Sequence, residues 1–286
     1  MDSGKVSDTW SAIDCSRRHL LNGWLSSQVH FWIVLSYCIV QVGAVRKCGR
    51  RQFEMRDKYP FGYDERLLGG CLYCGAATDT TEHIPSKVFL DKPYPANLHT
   101  MKSCGSCNNG FSIDEEYVSC FIDAVICGST EDLGILRPKV GETFIRKPEV
   151  ANRIEASRRT DGDETFWNPE IPRFIRIIEK IARGHASHDL GLRDLGTESG
   201  STPHVGFWPI GLMEDVQVQE FEHPVAIPFW PELGSRAFYQ ALSTNGKSLT
   251  EWTILQKGRY RYLATPVEPS VRMVFSEYLT CIVTWD

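Results

Sequence analysis

Between Ser112 and Gly128 the apolar positions recur at helical spacing. Tyr117, Val118, Phe121, Ile122, Val125 and Ile126 form one stripe, and Gly128 is a natural stop. Ser112-x-x-Glu115 has the form of a capping box, so the spacing predicts a helix opening at Ser112. A second amphipathic helix is predicted from Arg173 to Arg183, with Phe174, Ile177, Ile178 and Ile181 on one side and Gly184 ending it. Residues 129–170 are mixed and polar, with Pro138, Pro148 and Pro169 as breaks, and Asp189 to Pro203 reads as a loop. From Val205 onward the pattern turns to β. Val216–Phe221, Val225–Phe229, Trp252–Leu255, Tyr260–Leu263, Val271–Phe275 and Tyr278–Trp285 are short apolar or alternating runs between turn residues. The back half is therefore α+β, an antiparallel sheet with a helix or two, and Trp208, Trp230, Trp252 and Trp285 read as core.

Near the N-terminus, Trp24–Val45 contains no Asp, Glu, Lys or Arg. As a helix it is long enough for a bilayer core of about 30 Å. Arg46, Lys47, Arg50 and Arg51 follow it, so an inserted segment would leave the rest of the chain on the cytoplasmic side. Gln28, His30 and Gln41 dilute the stretch, and a buried strand pair or core helix is the alternative. A third reading treats residues 1–60 as a non-native extension, because a chain starting at Met55 holds every motif discussed next.

Composition narrows the choices. The 286 residues suit one large domain or two modest ones, and a net charge of −5 excludes a polycation, so nucleic-acid binding would need a local patch. Ten cysteines is a high count. A disulfide framework belongs to short secreted chains, so the count points to a reducing, cytoplasmic setting and a metal knot.

That knot is placed by two pairs, Cys71-x-x-Cys74 and Cys104-x-x-Cys107. Each pair sets two thiolates on one turn, and four thiolates saturate a tetrahedral Zn²⁺, which is then structural. Such an ion substitutes for the core that a turn-rich module cannot build alone. The insert between the pairs is longer than the roughly 15–20 residues of a simple ribbon. It carries Thr81-Glu82-His83-Ile84-Pro85 and then Asn97, and Asn108 follows the last cysteine.

Cys71, Cys74, Glu82, His83, Asn97, Cys104, Cys107 and Asn108, in that order, resemble the zinc-containing members of the HNH endonuclease family. The similarity covers about residues 71–112. It implies a ββα-metal, treble-clef-like module within 61–128, followed by an α+β domain of unknown role over 129–286. It implies metal-dependent DNA cleavage. By position, His83 matches the general base, Glu82 and Asn108 match ligands of a catalytic Mg²⁺ or Mn²⁺ ion, and Asn97 matches the asparagine that shapes the hairpin loop. Two departures stand out: Ser86 occupies the usual proline position, with Pro85 one residue earlier, and Glu82 replaces a common aspartate.

The chemistry is coherent. A neutral imidazole near its usual pKa of about 6.5 takes a proton from water at physiological pH. Mg²⁺ prefers oxygen ligands and keeps several waters. However, adjacent strand residues point to opposite faces, so Glu82 and His83 converge only if the local twist brings them together. His99 reads as a bystander. His185 and His188 are spaced for a metal, although a solvated helix end is the simpler reading. Lys87, Lys92 and Lys102 could touch phosphate, and Arg46 to Lys58 is basic enough for a DNA arm or a membrane-flanking patch. The expectation is a cytoplasmic DNA endonuclease, or a membrane-anchored one with the nuclease module on the cytoplasmic side. The rival is a non-catalytic zinc-knot module that binds nucleic acid or a protein partner.

Overall fold

A computed structural model of the chain describes residues 10–11, 70–132, 136–162, 164–192, 201–224, 233, 235, 251–265 and 269–285. The apolar stretch Trp24–Val45, the basic run Arg46–Lys58 and the runs at Val225–Phe229 and Trp230 lie outside the described residues. Among the described residues, no helix is long and apolar enough to cross a membrane.

In chain order the elements are β1 (Trp10–Ser11), β2 (Thr80–Ile84), β3 (His99–Ser103), α1 (Gly105–Cys127), α2 (Pro138–Arg146), α3 (Pro148–Glu155), β4 (Arg158–Asp161), β5 (Glu164–Trp167) and α4 (Ile171–His185). A π-helical turn, Ala186–Leu190, continues α4. After it come β6 (Pro203–Pro209), α5 (Asp215–Glu222), β7 (Thr253–Gln256), β8 (Tyr260–Thr265), β9 (Ser270–Phe275) and β10 (Leu279–Trp285).

The described residues form two compact units, divided at 118/119 and 171/172. The smaller unit takes Ser119–Ile171 together with Trp10–Ser11. Its sheet runs β1-β5-β4, all antiparallel. Pro138 and Pro148, read as breaks, are the first residues of α2 and α3, where a missing N–H is harmless. Trp167 is fully buried and meets Phe121 edge-on at 6.3 Å. Arg137 Nε lies 2.5 Å from Asp123 Oδ2 and its Nη2 donates to Ser119 Oγ at 2.7 Å, so this buried charge is paired.

The larger unit joins the cysteine segment to the C-terminal sheet. The α+β expectation holds: five strands in the order β6-β10-β9-β8-β7, all antiparallel. β6 alternates buried and half-buried positions, and Phe207 on its inner side stacks on Phe174 of α4 at 5.5 Å. Val216–Phe221, expected as a strand, is instead helix α5. A reciprocal capping box between Glu214 and Gln217 opens it, and Glu214 N–H reaches Gln217 Oε1 at 2.9 Å. Trp285 is buried in the core, whereas Trp208 and Trp252 are half-buried and flank Phe221.

α1 begins seven residues before the expected Ser112. Its N-terminal cap comes from outside the helix: Asp79 Oδ1 accepts the Gly105 N–H at 2.6 Å. Ser112 instead donates back to the Asn109 carbonyl at 2.8 Å. Gly128 ends the helix as expected, with φ of 73°. Gly184 does not end α4. The helix passes through it, because the residue is needed for close packing: a Cβ there would lie 2.6 Å from Ile84 Cδ1.

Candidate metal centre and hairpin face

The first cysteine pair forms a tight turn. Cys71 N–H donates to the Ala76 carbonyl at 2.6 Å, and Gly75 N–H to the Cys71 carbonyl at 2.8 Å, with Gly75 at φ of 71°. Leu72 N–H donates to the Lys102 carbonyl at 3.3 Å, tying this turn to β3. The second pair lies where β3 passes into α1, and Cys107 N–H points at Cys104 Sγ across 3.4 Å. Antiparallel pairing of β2 with β3, from Thr80↔Ser103 to Ile84↔His99, brings the two turns together.

As a result the sulfurs of Cys71, Cys74, Cys104 and Cys107 all lie within 4.8 Å of one another, and Cys74 Sγ is 3.6 Å from Cys104 Sγ. Thiolates about 2.3 Å from a tetrahedral ion sit close to 3.8 Å apart, so the cluster is compatible with a structural zinc site. The thiols do not ionise alike. Burial works to raise Cys104, but hydrogen bonds from the Cys107 N–H and neighbouring thiols outweigh it and lower its pKa. Burial, followed by the thiols around it, pushes Cys107 far up. Burial also raises Cys74. A shared cation would remove that conflict by stabilising all four as thiolates.

The hairpin splits the expected catalytic residues between its faces. Glu82 points inward and is 5% exposed. Lys180 of α4 reaches Glu82 Oε1 at 2.9 Å, Ser86 Oγ donates to the same oxygen at 3.1 Å, and Lys180 also pairs with Glu115 of α1. Glu82 Oε2 is buried with no hydrogen-bond partner. Burial pushes the Glu82 carboxyl up, and the Lys180 ammonium opposes that shift.

His83 lies half-buried on the other side, opposite Thr100. Burial first, and then the charge of Lys87, lowers its pKa and favours the neutral imidazole. Thr81, Thr100 and Lys102 are exposed positions of the same outward face. Asn108 sits in the first turn of α1, and its Nδ2 faces Thr80 Oγ1 on the inner side at 3.4 Å. Asn97 is exposed in the turn ahead of β3, where Leu98 N–H closes onto the Pro95 carbonyl at 3.2 Å. Thus Asn108 and Glu82 share the inner side of β2, and His83 does not join them.

Four further residues enter the picture. Lys180 and Glu115 build the inner charge cluster. Lys180 interrupts the apolar stripe of Ile177, Ile178 and Ile181, which was the available signal. Ser86, noted only as a departure from the motif, is the hydroxyl bridging that cluster. His99, read as a bystander, stacks on His188 beside Asp189.

Comparison with protein-family models, with curated proteins and with solved structures finds no match to this chain.

Proposed function

We propose that the cysteine hairpin and the start of α1 form a zinc-stapled HNH-type module that hydrolyses DNA phosphodiester bonds. The observation that carries this reading is the outward hairpin face: an imidazole held towards its neutral form beside Lys87, with Lys102 and two threonines exposed on the same strands and no acidic residue among those positions. Phosphate contacts come from such lysines and hydroxyls, and a neutral imidazole accepts the proton of an attacking water. The four thiolates hold the turn-rich hairpin rigid, and zinc is the ion they suit.

A hard divalent ion, Mg²⁺ or Mn²⁺, finds suitable donors in Glu82 Oε2, a buried carboxylate oxygen without a hydrogen-bond partner, and in the amide oxygen of Asn108. When bound, such an ion would supply charge relief on the departing 3′-oxygen, provided that the local twist of β2 turns the Glu82 carboxylate and the His83 imidazole towards one phosphate, since the two side chains leave the strand on opposite faces. His83 takes the water proton, and the Lys180 ammonium opposes the burial that pushes the Glu82 carboxyl up.

The ion pair between Glu82 and Lys180 also favours a second reading, a non-catalytic knot that binds DNA through the same outward face. It gives the carboxylate a partner that needs no metal. Supercoiled plasmid separates the two. The nuclease reading expects Mg²⁺- or Mn²⁺-dependent nicking by the full chain, lost by two or more orders of magnitude in His83→Ala. Retarded but uncut plasmid in every divalent metal, or equal nicking by wild type and variant, rejects it.

A further inference from the structure

At the end of β3 remote from Cys104 lies a second group of metal-ligating side chains. His99 opens the strand, and the π-helical turn after α4 supplies His188 and Asp189. One donor atom from each of the three lies within 4.8 Å of the others. We propose that His99, His188 and Asp189 bind a divalent transition ion of the zinc or cobalt type, separate from the four-thiolate centre.

Several independent observations converge on this. Two imidazoles and a carboxylate select first-row transition ions over Mg²⁺, which takes oxygen donors. Three protein ligands leave a coordination position for water, the pattern of an accessible zinc site. Both histidines are half-buried and Asp189 is buried, so the donors are ordered yet reachable. The π turn is itself unusual, and helices that widen in this way are frequently found at functional sites. Here the widened turn carries His188 and Asp189, and Gly191 at φ of 78° closes it.

The surroundings resemble the support that ligating histidines need. Tyr262 hydroxyl lies 3.4 Å from His99 Nδ1, a contact of the kind that orients a ligating imidazole. Behind it, fully buried His185 bonds the Tyr260 hydroxyl at 2.7 Å and stacks on Tyr262 at 3.5 Å, so the tyrosine pair of β8 is fixed in place. His188 Nδ1 and Asp189 Oδ1 are 2.5 Å apart. The rings of His99 and His188 are stacked at 3.8 Å and 10°. Lone pairs lie in the ring planes, so ligation requires one ring to swing about its Cβ–Cγ bond. The ion then replaces the ring stack and ties the start of β3 to the end of α4.

The test uses the full chain with its thiolate centre filled by one equivalent of Zn²⁺. A second equivalent of Zn²⁺ or Co²⁺ is then added and followed by calorimetry and absorption. Wild type binds it. The cobalt shows d–d bands without thiolate-to-cobalt charge transfer. His188→Ala abolishes the second uptake, and Asp189→Asn weakens it by well over about tenfold, beyond the loss of a supporting group alone. Binding that stops at one ion per chain overturns the proposal. So does a second ion held equally well by both variants, each shown to be folded by circular dichroism. Plasmid cleavage is not read, so this result stands apart from the nuclease test.

Discussion

Lys180 offers the sharpest quantitative test of the packing described above. Its side chain is 1% exposed, between Glu82 at 6% and Glu115 at 11%. Lys180→Met keeps the stem volume and removes the charge. Two carboxylates then face each other in a buried site with one hydroxyl, Ser86, between them. Removing one partner from a buried ion pair costs about 3–5 kcal/mol, because an uncompensated charge remains. At roughly 2–4 °C per kcal/mol, the melting temperature should fall by about 6–20 °C at neutral pH.

The pH dependence carries a definite sign. Burial already raises the Glu82 carboxyl in the folded chain, and without the ammonium it rises further. The folded variant then binds more protons than the unfolded one above the ordinary carboxylate range, so its stability falls as pH rises. The gap to wild type should therefore be small near pH 4.5 and widen through pH 8, as measured by urea unfolding with zinc held constant. Adding Glu82→Gln and Glu115→Gln to Lys180→Met should recover much of the loss. A Lys180→Met protein within about 1 kcal/mol of wild type at neutral pH would refute the view that this ammonium holds the two acids in place.

Three other outcomes are expected. Cys104→Ser, or a strong chelator, should collapse the helical signal of α1, with recovery on Zn²⁺ addition in wild type alone; unchanged circular dichroism would remove the structural role of the ion. Gly184→Ala should cost about 1–3 kcal/mol, because its Cβ would sit 2.6 Å from Ile84 Cδ1, and Ile84→Val should relieve part of that cost in a double-mutant cycle; strict additivity of the two changes would contradict the packing. Plasmid nicking should stay level above neutrality and decline only below the usual histidine range, since the His83 base form persists to lower pH than in a free imidazole; a limb still rising above pH 8 would point to another base.

Some of this was legible in the sequence because local rules decide it. Two C-x-x-C turns can converge only when the segment between them folds back, and pairing of β2 with β3 does that. The final strands are short apolar runs between turn residues and appear where expected. The start of α1 is not legible locally, because its cap, Asp79, is remote in sequence. Val216–Phe221 is too short for its apolar pattern to separate strand from helix, and the Glu214/Gln217 box decides. Gly184 looked like a stop because sequence alone does not reveal Ile84 against it.

The same limit applies to chemistry, and it explains the division at Glu82 and His83. Adjacent strand positions face opposite ways, and which face is buried depends on what packs there. Helix α4 brings Lys180, and α1 brings Glu115, to the Glu82 side. The inner face thereby becomes a closed network of charges, and the imidazole is left on the open face with the lysines. Residue Glu82 can serve a catalytic ion only if Lys180 stays with one carboxylate oxygen while the other turns to the metal. Glu82→Gln tests that coupling directly. It should weaken Mn²⁺-dependent nicking by tenfold or more while leaving plasmid retention intact, because the outward phosphate contacts do not involve it. Unimpaired nicking would confine Glu82 to the inner network.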